Sequence, residues 1–185
     1  MSAAREKMIA ATAYLLSSEG LEGTSFATVL TQSGAPRGSI YHHFPEGKDQ
    51  LVLEAVGVVG DGVLARIRAM EAATPDEVVK SFTNPWRDLL MNSQCQAGCA
   101  VAAVVRNERE AAASIFASWA KELSARLTAA GMNSALADRS AQTVVAATEG
   151  ALLVAQADGD IDAFDRVVED LVELVNMRSG FGAGA

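Results

Sequence analysis

Positive charge, cysteine, aromatic rings and long apolar runs are all scarce in this sequence, and each shortage narrows what the chain can be. Fifteen lysines and arginines stand against 23 acidic residues, a formal net charge of −8. That argues against a nucleoid or scaffold protein, which would hold nucleic acid by a basic surface. Two cysteines with no recognisable secretory leader are expected as thiols in a reducing cytoplasm. The opening M-S-A-A-R-E-K-M carries both signs of charge and no apolar stretch ahead of a cleavage site. The longest unbroken apolar run, Ala97 to Val105, falls short of the roughly 18–20 residues a bilayer-spanning helix needs, so no membrane partner is expected. No Ser/His/Asp set, phosphate-cradling glycine loop or metal-ligand quartet stands out, so neither an enzyme nor a cofactor is expected. A thiol-based redox sensor or a small helical-bundle enzyme remains the rival reading.

What is present is a helical pattern almost throughout, and it predicts an all-α protein. Half the residues are hydrophobic, enough for a sizeable core. Ile9, Ala13 and Leu16 set an amphipathic helix over 3–19, ended by Gly20. A long helix is predicted over about 48–71, with Gly57, Gly60 and Gly62 weakening its middle as a hinge. Thr74-Pro75-Asp76-Glu77 reads as a helix start: a cap, proline at the first position, then two acids. Asn84-Pro85 predicts a kink or break, giving segments of about 75–83 and 85–93. Helices are expected at 99–106, at 109–130 before Gly131, at 134–156 and at 160–177. The last two are separated by an Asp158-Gly159-Asp160 turn, and residues 179–185 are expected as a flexible tail.

The run from Thr24 to Leu51 is the most specific stretch. Thr24 or Ser25 can cap a short helix whose Phe26, Val29 and Leu30 share one apolar side. Gly34 allows a sharp corner, and Pro36 suits the first position of a second helix. Ile40 and Phe44 give that helix an inward face and leave Arg37, Ser39, Tyr41 and His42 outside. Two short helices about a glycine corner, the second presenting polar and aromatic groups, describe a helix-turn-helix. Arg37 is placed to fork onto a guanine edge or to bind phosphate. Gly38 permits close approach to a groove, and Ser39 and Ser25 are counted among the DNA-contacting hydroxyls. Lys48 sits at a helix N-terminus, where a cation is badly placed unless a DNA phosphate shares the site. His42 and His43 are adjacent, so on a helix they diverge by about 100° and do not chelate one ion readily.

At these residues the chain resembles a known family. G-A-P-R-G-S-I-Y-H-H-F followed by K-D-Q-L is similar to the DNA-binding signature of TetR-family transcriptional regulators. The longer F-P-E-G-K junction and Gln-Ala-Gly-Cys-Ala-Val at 96–101 resemble the LmrA/YxaF-like branch. The resemblance implies a helix-turn-helix domain over 1–50 and a ligand-binding and dimerisation bundle over 51–178. It also implies that Tyr41, His42 and His43 face DNA. A cytoplasmic homodimeric repressor is implied, released from double-stranded operator DNA by a small, mainly apolar or aromatic effector.

The bundle offers candidates for both of its expected roles. Phe82, Trp86, Met91, Phe116 and Trp119 gather the large side chains of the middle region, which makes an apolar ligand pocket there an expectation. Glu149, alone in an apolar stretch, is a candidate counter-charge. Val144, Val145, Ala151 and Leu152 form one close-packing stripe, and Ile161, Phe164, Val168, Leu171 and Val175 form a 3,4-spaced seam. The pair is expected to build a four-helix dimer interface. Cys95 and Cys99, four apart, are expected as small buried hydrophobes, since neighbouring helical turns aim them poorly for a bridge.

Overall fold

Helix boundaries in the computed structural model, which describes residues 2–180, follow local capping chemistry. Helix α1 (Ala3–Gly23) starts where the Ser2 hydroxyl accepts the amide of Arg5. Its path breaks at Gly20 (φ 68°, ψ −174°), the residue expected to end it. Helices α2 (Phe26–Ser33) and α3 (Ser39–His43) follow, then α4 (Lys48–Arg68), which runs unbroken through its three glycines. At Gly60 a β-carbon would sit 3.0 Å from Ile115, so this glycine serves close packing.

Helix α5 (Pro75–Asn92) starts where expected, after Thr74 with proline first, and Glu77 adds a bond back to the cap: its Oε2 accepts the Thr74 amide at 3.2 Å. The expected break at Asn84-Pro85 does not occur, and Pro85 lies inside one continuous helix. Proline removes a single helical bond there, to the carbonyl of Ser81, a residue on the exposed side of the helix. Against that cost stands a continuous buried face of Val78, Val79, Phe82, Thr83, Trp86 and Leu90. The expected helix at 99–106 is instead a tight turn around a short 3₁₀ segment, Ala102–Val104. Gln94 and Cys95 turn the chain out of α5 with φ of 54° and 59°, and the Cys95 amide caps the Leu90 carbonyl at 2.7 Å. Helix α6 (Arg109–Ala129) stops before Gly131 (φ 96°). Helix α7 (Ser134–Asp158), capped by Asn133, ends at Gly159 (φ 69°). Helix α8 is Asp162–Ser179. Of the tail expected at 179–185, Ser179 closes α8, and 181–185 lie outside the described residues. Among the described residues there is no strand, and no helix is long and apolar enough to cross a membrane.

The chain forms two compact units. One comprises residues up to Gly62 together with Cys99–Ile115; the other comprises Val63–Gly98 and the chain from Phe116 onward. In the first, Met8, Leu16, Val29, Ile40, Phe44, Leu51, Val52 and Val56 close a core between α1, α2, α3 and the start of α4. The 3₁₀ turn packs on α1.

In the second unit, α8 packs along both α5 and α7, and a bidentate pair from Arg87 to Asp165 at 2.8 and 2.9 Å ties α5 to α8. The two stripes expected at a dimer interface lie inside this unit. Val144, Val145, Ala151, Leu152, Phe164, Leu171 and Val175 are all buried within one chain, and Ile161 and Val168 are half-buried. They are the α7–α8 core, because an apolar stripe is satisfied by the first apolar face it meets, which here belongs to the same chain. The outer side of α7 shows other apolar groups: Leu153 is 61% exposed, Val154 47%, and Ala146 and Gly150 are exposed beside them.

Candidate nucleic-acid interface

The site begins with two short helices and the corner between them. Of the two candidate caps, Ser25 is the one used. Its hydroxyl accepts the Thr28 amide at 3.1 Å while Thr28 Oγ1 accepts the Ser25 amide at 2.7 Å. Thr24 is buried instead, and its hydroxyl donates to the Gly20 carbonyl. Helix α2 stops at Gly34: its amide still makes the last helical bond, to the Leu30 carbonyl at 3.0 Å, and its left-handed backbone (φ 65°) then turns the chain out of the helix.

Pro36 does not open the second helix, as its position in the sequence suggested. Residues 36–38 form a turn closed by the Ser39 amide on the Pro36 carbonyl at 3.0 Å, and α3 begins at Ser39. The Ser39 hydroxyl also donates to that carbonyl, at 2.7 Å, so it stiffens the turn. Proline's fixed φ serves the first corner of a turn as well as the first position of a helix, and local chemistry alone did not separate the two.

Helix α3 is five residues long and presents two distinct faces. Ile40 and Phe44 are fully buried, and Arg37, Gly38, Tyr41 and His42 are exposed. Tyr41 is 69% exposed, yet its ring stands edge-on to Phe26 of α2 at 5.5 Å. Its phenol is thus held at the surface by a packed ring. His43 is half-buried, its Nε2 3.3 Å from the Ser2 hydroxyl. The His42 and His43 rings lie 60° apart in plane.

Lys48 opens α4, and its ammonium donates to the Leu21 carbonyl at 2.8 Å, fastening the end of α1 to the start of α4. Arg5 pairs with Glu54 of α4 and lies 5.3 Å over the ring of Phe44. Sequence reasoning missed this last grouping, because nothing in the local pattern links positions 5, 44 and 54. It also missed an open groove of about 460 Å³ lined by Lys7, Ala10, Ala11, Tyr14, Gln32 and Ser33.

The second unit brings three of the proposed ligand-lining residues together. Trp119 is fully buried, 6.1 Å from Trp86 and edge-on to Phe116 at 5.3 Å. Phe82 is buried on the same face of α5 as Trp86. Met91 does not share their burial: it is 53% exposed, because it falls on the solvent side of α5, next to the buried Leu90. Glu149 is half-buried on α7. Cys95 and Cys99 are both buried, Cys95 on the turn that leaves α5 and Cys99 in the irregular stretch that follows, not on neighbouring turns of one helix.

A short exposed helix held by a glycine corner on two supporting helices defines a helix-turn-helix regulator. Residues 8–55 match the family model of the bacterial regulatory proteins of the tetR family. A second model, the LmrA/YxaF-like transcriptional regulator C-terminal domain, matches residues 75–170. The chain is 33% identical over 187 residues to an uncharacterised HTH-type transcriptional regulator of Mycobacterium tuberculosis, covering 95% of each. It is 31% identical over 166 residues to the HTH-type transcriptional regulator LmrA of Bacillus subtilis, covering 81% of this chain and 85% of LmrA. Two crystal structures of TetR regulators share the fold with a TM-score of 0.82. The one from Legionella pneumophila is 21% identical, with 94% of this chain and 97% of that one covered; the one from Rhodobacter sphaeroides is 20% identical, with 94% and 99% covered. The chain belongs to the TetR family of bacterial transcriptional regulators. Within it, the match over 75–170 and the likeness to LmrA place it on the LmrA/YxaF-like branch.

Proposed function

We propose that this protein is a cytoplasmic homodimeric repressor that leaves its operator when a small apolar or aromatic ligand enters its C-terminal bundle. Residues 1–50 carry the DNA-binding role, and 51–178 carry ligand binding and dimerisation. The observation that carries the reading is the two-faced α3, with Ile40 and Phe44 fully buried and Arg37, Tyr41 and His42 held outward. Arg37 reads a base edge or grips phosphate, and Tyr41, His42 and His43 line the same groove. Gly38 has open space where a side chain would stand, which suits close approach. Ser25, Ser39 and Lys48 contribute chiefly by fixing the frame, since their polar groups are already engaged.

Ligand binding falls to the aromatic group of Phe82, Trp86, Phe116 and Trp119, with Glu149 as the candidate counter-charge for a cationic ligand. Dimerisation falls to the outer face of α7, around Ala146, Gly150, Leu153 and Val154, because the stripes inside are already packed. Two recognition helices would then enter successive major grooves about 34–36 Å apart.

The test is a binding titration with DNA selected from a random pool and with the DNA upstream of the protein's own coding region. Arg37→Ala should weaken operator binding roughly 5- to 150-fold, the range expected for loss of a forked base contact. Tyr41→Phe keeps the ring on Phe26 and removes only the hydroxyl, so any loss reports a DNA contact. Both variants should stay dimeric by sedimentation. Unchanged affinity in both would remove the site assignment.

A further inference from the structure

The cation-bearing side chain nearest the chain's start is turned inward, onto the junction between α3 and α4. The Arg5 guanidinium pairs with Glu54 Oε2 and lies 5.3 Å over the Phe44 ring. Glu54 Oε1 accepts from Gln50 Nε2 at 3.1 Å, and Gln50 Oε1 accepts the amide of Glu46 at 3.1 Å. Glu46 is two residues along the backbone from Phe44, so backbone and contacts together make a ring: Phe44, Glu46, Gln50, Glu54, Arg5 and back to Phe44. The ring passes through the start of the F-P-E-G segment that joins α3 to α4.

A helix as short as α3 cannot hold itself, since a five-residue segment barely completes one hydrogen-bonded turn. The residue before it, Gly38, offers no side-chain cap, so beside the Ser39 turn and the Tyr41 ring on Phe26 its direction depends on Ile40 and Phe44 in the core and on what fixes its C-terminal end. Phe44 is that end: its amide donates to the Ile40 carbonyl at 2.8 Å. Arg5 and Glu54 are each about three-quarters buried, where a hydrogen-bonded ion pair is screened far less than at the surface.

We propose that Arg5, acting through Glu54 and Phe44, is a positioning residue for the recognition helix, and that it is not a phosphate contact. The inference rests on the operator-binding reading above. It separates two roles for a basic residue at the start of α1 that have opposite signatures. A phosphate contact weakens binding to all DNA alike and lowers the salt slope by about one. A positioning residue weakens operator binding alone, leaves the salt slope unchanged, and has no effect once its partner is gone.

The experiment measures affinity for a selected operator and for random-sequence DNA at several salt concentrations. The proteins are wild type, Arg5→Met, Glu54→Gln and the double variant, each with its thermal midpoint recorded. Methionine keeps the apolar stem over Phe44 and removes the charge. The expected result is about a tenfold loss on operator for either single variant, a magnitude within the range measured for coupled pairs. Random DNA should change by less than about twofold in the same assay, and the double variant should be no worse than the singles. Arg5→Lys, which retains the cation, should recover part of the loss and covers the case where Arg5→Met does not fold. An equal loss on both DNAs with a changed salt slope would overturn the proposal in favour of phosphate contact. A lowered thermal midpoint with unchanged operator affinity would overturn it in favour of a purely structural role. If the wild type itself fails to prefer any selected DNA, the operator reading fails, and that result is seen before any variant is compared.

Discussion

Single residues carry several of the decisions in this chain, and most act through one hydrogen bond or one backbone angle. Gly34 is the corner of the DNA-binding motif because its left-handed φ turns the chain away just after its amide has made the last helical bond, to Leu30. Asp76 shows a residue acting through charge. Lys80, one turn on, donates to its carboxylate at 2.8 Å, and that bond, followed by one from Thr74, holds the Asp76 carboxyl below its usual pKa. A carboxyl whose pKa is lower folded than unfolded contributes stability that is complete above the unfolded value, near 3.8. That contribution fades as pH falls through the folded value. Asp76→Asn should therefore narrow the gap between urea midpoints measured at neutral pH and at pH near 3, with most of its effect at neutral pH. A gap that stays the same width would remove Asp76 from the acid response. The outward and inward residues of the motif were legible because period and residue type agree there: Ile40 and Phe44 are apolar at i, i+4 and are buried. Pro36 was not legible, since a fixed φ near −65° fits two kinds of local structure.

At the scale of helices, capping signals fixed ends well and interiors poorly. Ser25, Thr74, Gly34 and Gly159 all sit at boundaries, and each acts through its own local bonds. Pro85 misled because the packing that outweighs it comes from other helices. The α7 and α8 stripes misled for a related reason: periodicity shows that a face is buried but not which chain buries it. This distinction can be measured. Leu171→Ala removes a side chain from a closed core and should cost about 2–5 kcal/mol of folding stability, read as a lower urea midpoint. Leu153→Lys adds charge to an exposed position on α7 and should leave the monomer's fold intact while shifting sedimentation toward monomer. If Leu171→Ala dissociates a fully folded dimer and Leu153→Lys does nothing, the interface is on the other face.

Over the whole molecule, charge is distributed unlike that of most proteins that read DNA. Residues 1–50 hold four basic side chains and five acidic ones, so the remainder of the net −8 lies outside the motif. Two of those four cations are already engaged, Arg5 with Glu54 and Lys48 with the Leu21 carbonyl, while Lys7 and Arg37 are exposed. Affinity for a polyanion that rests on few cations releases few counterions. On the reading proposed above, more of the holding falls to backbone amides at helix starts and to contacts from α3, which depend less steeply on salt. Operator affinity plotted against salt on logarithmic axes should therefore have a slope per dimer well below the roughly −10 of a strongly basic repressor. Arg37→Ala should flatten it further only if Arg37 grips phosphate, and leave it unchanged if Arg37 reads a base. A wild-type slope near −10 would mean that cations outside residues 1–50 reach the duplex, and the division of labour between the two ends of the chain would have to be redrawn.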